Sequence, residues 1–419
     1  MRASEILSSI STGGHDTALD ALYGAKKREI QRARWKNAAE KFIEKYGDRE
    51  AMMFSVPGRS EICGNHTDHN RGAVIAAAVD LDVIGLAAKN DGNTVRVFSD
   101  GYGDIITSLD DTDAKSMKKG TPHSLIAGMC DAFARGKVKC GGFDVWCTSD
   151  VLKGSGLSSS AAFEVFIGSV INHLFNSGTT DAVNVAKYAQ HAENVFFGKP
   201  CGLMDQTACS VGGFVFIDFE DPDHVVVKKL ECPLSEFGYV LCITDTGGNH
   251  ADLTDDYAAI PSEMKAVAKA LGCDVLRRTD KETFMTNIPR LRRECGDRAV
   301  LRALHFFTEN ERVYDAAQAI EAHNINRFLT DIKASGDSSF KYLQNIYSNK
   351  NVKEQGLALA LALSESIVCR VHGGGFAGTI QAFVKTQELE DYKKRLESVF
   401  GEGSCRCLTV RTEGAVRAI

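Results

Sequence analysis

Proline is scarce in this chain, with seven residues in 419, and tryptophan occurs only twice. No Pro-rich tract marks a linker, no segment is of low complexity, and no stretch recurs as an internal repeat. No run of ~18 apolar residues exists, and residues 1–23 lack an uninterrupted apolar core, which argues against a membrane span and a signal peptide. A basic excess is missing too. Lys plus Arg is 49 against 55 Asp plus Glu, a net charge of −6, and phosphate-backbone binding proteins show the opposite balance. Nucleic acid is therefore not an expected partner, nor is a membrane. Cysteine is plentiful at thirteen, but the number is odd, no Cys-x-x-Cys occurs, and the tightest pair is Cys405 and Cys407. Neither a disulfide framework nor a zinc ribbon has that layout. Reduced thiols in a cytoplasmic enzyme are expected.

What is present is an ordinary globular composition, 44% hydrophobic and 25% charged. Its length suggests two or three domains at ~150 residues each, with a core large enough to need no metal or disulfide. Residues 25–46 read as an amphipathic helix with Ile30, Trp35, Ala38, Phe42 and Ile43 near one face and a solvated Lys/Arg run opposite. Beyond Met53 the texture turns β-rich, with strands expected over 73–88, 94–98, 143–147, 213–219 and 239–244. Helices are expected over 161–175, 181–197, 257–271, 301–322 and 352–366, and a strand-rich end over 369–384. The mixture is α+β, with a boundary placed near 220–235.

Three segments carry the chemistry. Residues 151–162 (Val-Leu-Lys-Gly-Ser-Gly-Leu-Ser-Ser-Ser-Ala-Ala) run into an apolar helix. Glycines let backbone N–H groups approach an anion, and the helix start adds unpaired donors and the positive end of its dipole. A phosphate site is expected here from Gly154, Ser155, Gly156, Leu157, Ser158, Ser159, Ser160 and Ala161, although no Walker A pattern occurs. Residues 371–384 contain Gly-x-Gly-x-x-Gly at Gly373, Gly375 and Gly378. A strand-like run follows instead of a helix, so Gly373, Gly374 and Gly375 are read as allowing close approach to another loop or to a phosphate, not as a dinucleotide site. Residues 57–70 crowd Arg59, Glu61, His66, Asp68, His69 and Asn70 between apolar strands. A metal held by His66, Asp68 and His69 is conceivable, but side chains gripping hydroxyls are the preferred reading.

Together these segments resemble the galactokinase family of the galacto-, homoserine, mevalonate and phosphomevalonate (GHMP) kinase superfamily. Residues 58–69 are similar to the signature Gly-Arg-x-Asn-Leu-Ile-Gly-Glu-His-Thr-Asp-Tyr. Residues 201–206 (Cys-Gly-Leu-Met-Asp-Gln) resemble Cys-Gly-Ile-Met-Asp-Gln, and 302–313 and 373–378 are also family-like. The resemblance implies a two-domain fold of mixed sheets with helices and the active site in the interdomain cleft. Residues 1–45 would be an N-terminal helical extension, 46–230 the first kinase domain and 231–419 the second. The implied reaction is transfer of the γ-phosphoryl group of ATP, with Mg²⁺, to the anomeric hydroxyl of galactose or a relative. The implied catalytic residues are Asp205, as base or orienter, and Arg59. Asn65, His66, Asp68, His69, Gly202 and Tyr257 would bind the sugar. A hydroxyl from the 158–160 run, assigned to Ser159, would join Glu193 on Mg²⁺. A monomer or weak homodimer is expected. Two departures bear on the sugar: Asn65 stands where the family has Glu, and His69 where it has Tyr. An N-acetylated hexosamine or a pentose, or a non-catalytic sugar sensor on the same fold, are the rival readings.

Overall fold

The structure, a computed structural model, describes residues 1–110, 113–151, 156–248 and 253–419. Two long strands, β1 (Met52–Cys63) and β2 (Ala73–Lys89), pair antiparallel at the centre of the larger sheet. Along β2, Val83 and Ala87 enter one apolar cluster while Ile84, Leu86 and Ala88 enter another. Successive side chains point to opposite faces, and a strand covered on both faces reads as a continuous apolar run. The sheet is completed by β3 (Thr94–Ser99), β4 (Gly103–Ser108), β5 (Phe143–Ser149), β6 (Phe214–Asp218), β7 (Val226–Leu230) and, from the far end of the chain, Val416–Arg417 against β1. Among the described residues only β3 and β5 run parallel. The smaller sheet is antiparallel and consists of β8 (Tyr239–Asp245), β9 (Val368–Val371), β10 (Thr379–Lys385) and β11 (Cys405–Leu408), in the order β11-β8-β10-β9.

One face of the larger sheet is covered by α1 (Ala3–Ser11), α2 (Asp16–Tyr23) and α3 (Arg28–Tyr46), whose Ile6, Leu19, Trp35 and Phe42 pack on Met53, Leu86 and Trp146. Residues 1–45, expected as an extension, thus form a layer of the sheet. Beneath them Asp82 is fully buried and receives Tyr23 (2.5 Å), Arg34 (2.6 Å), Arg411 (3.1 Å) and the Ser55 hydroxyl. That cluster ties the N-terminal helices, the sheet and the C-terminal segment to one carboxylate.

The other face carries α4 (Pro122–Arg135), α5 (Ser159–Asn176), α6 (Ala182–His191) and α7 (Met204–Val211), with Phe133, Phe166, Ala189 and Cys209 in the shared core. The helix expected over 181–197 is in fact α6 followed by a wider π-helical turn, Ala192–Phe197. Such turns re-aim side chains, and here Glu193 is left buried. The C-terminal half adds α8 (Thr254–Ala270), α9 (Lys281–Cys295), α10 (Asp297–Glu321), α11 (Ile325–Ser338), α12 (Gly356–Leu363) and α13 (Leu389–Phe400). The helix expected over 352–366 is confined to Gly356–Leu363. No helix among the described residues is long and apolar enough to cross a membrane.

Candidate active site

Residues 58–70, 156–161, 201–206 and 372–378 converge from β1, the start of α5, the start of α7 and the β9–β10 connection. Arg59, on β1, grips Asp205 with two parallel hydrogen bonds, Nε to Oδ1 at 2.8 Å and Nη2 to Oδ2 at 2.7 Å. Its Nη1 donates to the carbonyl of Gly156, and its backbone N–H donates to Leu157 (3.1 Å). The Ser158 hydroxyl donates to Asp205 Oδ2. Ser158 occupies the N-cap position of α5 with φ 57°, yet makes no side-chain cap there. The first N–H groups of α5 therefore receive no cap from the Ser158 side chain, and an uncapped helix start has the chemistry to accept an anion. Gly154 and Ser155, expected in the same loop, lie outside the described residues.

Burial opposes the charge on Asp205, but the Arg59 guanidinium and the Arg59 and Ser158 hydrogen bonds outweigh it, so its pKa lies below the ordinary aspartate value. Its side chain keeps 32% of its surface exposed against 8% for Arg59, so a substrate can reach the carboxylate but not readily the guanidinium. A carboxylate held this way stays ionised well below neutral pH, which makes it a weak proton acceptor and a good orienter of a hydroxyl. The pH profile of kcat/KM is accordingly expected to show no loss through Asp205 between about pH 7 and pH 5. An aspartate limb within that window would contradict this geometry.

Close by, Glu193 Oε1 receives Lys199 Nζ at 3.0 Å and the Ser160 hydroxyl at 3.3 Å. The hydroxyl set against Glu193 is thus that of Ser160, where sequence reasoning assigned Ser159. Gln206 Nε2 bridges Glu193 (2.8 Å) and a second buried carboxylate, Glu164 (3.2 Å). Burial, reinforced by Glu193, pushes the Glu164 pKa well above its usual range. Glu164, Lys199 and Gln206 were not singled out from sequence. The available signal was a carboxylate one helical turn beyond Ser160 in an otherwise apolar helix. Hard oxygen donors on Ser160 and Glu193 beside a helix start fit Mg²⁺, which takes one or two protein oxygens and completes its shell with phosphate and water. Among the described residues no group of three or more His, Cys, Asp or Glu is placed to hold a metal unaided, and this includes His66, Asp68 and His69.

Asp68 lies over the 201–206 turn: a Cβ on Gly202 would meet Asp68 Oδ2 at 2.4 Å, so a side chain there would displace the Asp68 carboxylate. The rings of His66 and His69 are 5.4 Å apart. Burial, with His69 adding to it, holds the His66 pKa down to about 3, so the ring is neutral and its Nε2 donates to the carbonyl of Gly374 at 3.0 Å. Asn65 departs most from expectation. It is fully buried, and its amide bonds Glu61, Gly373, Asn345 and Ser339 instead of facing the cleft. Tyr257 likewise donates to the carbonyl of Gly375 (2.8 Å). The 302–313 motif supports this region from behind, with His305 donating to the carbonyl of Asn65 (2.9 Å) and Glu309 accepting from the N–H of Gly64 (3.0 Å).

Residues 124–213 match the GHMP kinases N terminal domain, and residues 40–89 match the Galactokinase galactose-binding signature. The galactokinase of Lactobacillus helveticus is 29% identical over 372 residues, covering 86% of this chain and 94% of that protein. The galactokinase of Clostridium tetani is 29% identical over 365 residues, covering 87% and 91%. Among solved structures, Lactococcus lactis galactokinase complexed with galactose superposes with a TM-score of 0.76 at 24% identity, covering 90% of this chain and 98% of that one. Methanococcus jannaschii mevalonate kinase gives a TM-score of 0.61 at 14% identity, covering 86% and 98%. The fold is that of a GHMP kinase. Within that superfamily, the signature matched over residues 40–89 and the curated relatives at 29% identity over most of the chain are those of galactokinases.

Proposed function

We propose that this chain is an ATP-dependent sugar 1-kinase acting on galactose or a close relative, with Mg²⁺ as cofactor. The observation that carries the reading is the Arg59–Asp205–Ser158 unit, which fuses the hydroxyl-orienting carboxylate to the phosphate-binding end of α5. Phosphoryl transfer needs positioning and charge neutralisation more than covalent chemistry, and this unit supplies both. Asp205 orients the acceptor hydroxyl and takes up its proton late, Arg59 fixes the carboxylate, and the N–H groups opening α5 hold phosphate oxygens. Ser160 and Glu193 would hold Mg²⁺, which supplies neutralisation of the β- and γ-phosphates. Asp68 and His69 line the sugar side. The thirteen cysteines are all free, which suits a reducing cytoplasm.

The direct test is ADP release from Mg·ATP in the presence of galactose, N-acetylgalactosamine, arabinose, glucose and mannose. Sugar-dependent release supports the kinase. Sugar binding without ADP release would assign a sensor instead. For the metal, Ser160→Ala is expected to raise the Mg²⁺ concentration giving half-maximal rate about tenfold. Ser159→Ala should have the smaller effect, and the reverse order in a Mg²⁺ titration would restore the sequence-based choice.

A further inference from the structure

Three residues expected to contact the sugar converge instead on three consecutive carbonyls of the glycine loop. Asn65 Nδ2 donates to Gly373 O at 2.8 Å, His66 Nε2 to Gly374 O at 3.0 Å, and the Tyr257 hydroxyl to Gly375 O at 2.8 Å. Asn345 Nδ2 adds a second donor to Gly374 O at 3.1 Å. The loop also has no slack on its far side, since a Cβ on Gly375 would sit 2.1 Å from the carbonyl oxygen of Asn345.

The Asn65 amide has no capacity left for a ligand. A carboxamide offers two N–H donors and two lone pairs. Its donors go to Gly373 O and to Glu61 Oε1 (2.8 Å), and its oxygen accepts from Asn345 Nδ2 (2.8 Å) and the Ser339 hydroxyl (3.4 Å). The carboxylate has moved to position 61, where the family signature carries Asn, while position 65, where the signature carries Glu, holds the amide. The two changes are coupled. Glu61 Oε1 also receives Arg370 Nη2 at 2.9 Å, and Arg370 is fully buried, so an anion must stay beside it. An amide at 65 can donate both to that anion and to the Gly373 carbonyl, whereas a carboxylate at 65 would oppose two acceptors.

The clamp bears on the phosphate end of the site. His372, immediately before the loop, lies against the 156–161 segment: a Cβ on Gly156 would meet its Nδ1 at 3.0 Å and Thr379 Oγ1 at 3.4 Å. We infer that Asn65, His66 and Tyr257 are positioning residues that hold the 373–375 loop against the phosphate segment, so that position 65 sets the rate for every sugar while discrimination among sugars falls to Asp68 and His69. This rests on the kinase reading above and deepens it.

The test compares the wild type with Asn65→Asp, Tyr257→Phe and His69→Ala on each sugar the wild type turns over. Amide hydrogen exchange over residues 372–379 is followed without sugar. Asn65→Asp and Tyr257→Phe are expected to lower kcat about tenfold to a hundredfold on every sugar. The ratios of kcat/KM between sugars should not change. Both should speed exchange at the amides of Phe376 and Ala377, which bond Asn345 O (2.5 Å) and Gly375 O (2.8 Å). Tyr257→Phe, at a half-buried site, is expected to keep the wild-type melting temperature, so it decides the matter if Asn65→Asp folds poorly. His69→Ala should shift the ratios. A change of sugar ratio in Asn65→Asp with loop exchange unaltered would make Asn65 a sugar contact and overturn the inference. If the wild type turns over no sugar, the kinase reading fails, and the exchange data alone still decide whether the clamp exists.

Discussion

Asp205→Asn is expected to cut sugar-dependent turnover by about 10³-fold while leaving ATP binding intact. The substitution keeps the shape of the side chain and removes its charge. Asn can still accept from Ser158 and Arg59 Nη2 through one oxygen, but it faces Arg59 Nε with an amide NH₂ in place of the oxygen that now receives it at 2.8 Å. On the proposed mechanism the acceptor hydroxyl then loses its anionic orienter, and Arg59, only 6% exposed, is left with no paired carboxylate. Because the start of α5, the proposed phosphate site, is untouched, the effect should fall on kcat and leave the Kd for ATP within a small factor of wild type. A modest loss, of the size expected when an ordinary residue in a helix first turn is changed, would mean that Asp205 serves α7 alone. Calorimetric ATP binding alongside turnover separates the two.

The largest expected effect on stability lies away from the cleft. Asp82→Asn removes the anion shared by Arg34 and Arg411, of which Arg411 is fully buried. Stranding buried charge typically costs about 3–5 kcal/mol. Urea unfolding at pH 7 should show a loss of that size, against about 1 kcal/mol for Tyr23→Phe, which removes one hydrogen bond to the same carboxylate. The pH dependence has a definite sign. Burial opposes the Asp82 charge, but Arg34 and Arg411 outweigh it and hold the folded pKa below the ordinary value. Its contribution is therefore present above the unfolded-state pKa of about 3.9 and disappears as pH falls through the lower folded value. Asp82→Asn should flatten the acid side of the stability curve. An unchanged urea midpoint would mean that the N-terminal layer is held by its apolar contacts alone.

These charges show where sequence reasoning stops. The apolar run of β2 and the Gly/Ser entry to α5 were legible because burial on two faces and helix-start chemistry leave local patterns. Arg59, Asp205 and Glu193 followed from the family resemblance, and the structure brings them together with the 156–161 segment. Helices α4, α9, α11 and α13 were not read from the sequence; α9 is largely polar, with few core positions of its own, and its burial comes from partners distant in sequence. The role of Asn65 was not legible for the same reason. Which hydrogen bonds an amide spends internally depends on Asn345, Ser339 and Gly373, which the chain brings in from 274 to 308 residues away. That Ser160 and not Ser159 bonds Glu193 is a difference of one residue along a helix, which a run of three serines conceals.

The measurement that bears most directly on the central claim is phosphorus-coupled NMR of the product formed from Mg·ATP and the best-used sugar. A sugar phosphorylated at C1, formed in step with ADP and absent with Asp205→Asn, is the predicted result. Phosphate on another carbon, or ADP appearing with inorganic phosphate alone, would contradict the assignment of Asp205 and the 156–161 segment to anomeric phosphoryl transfer.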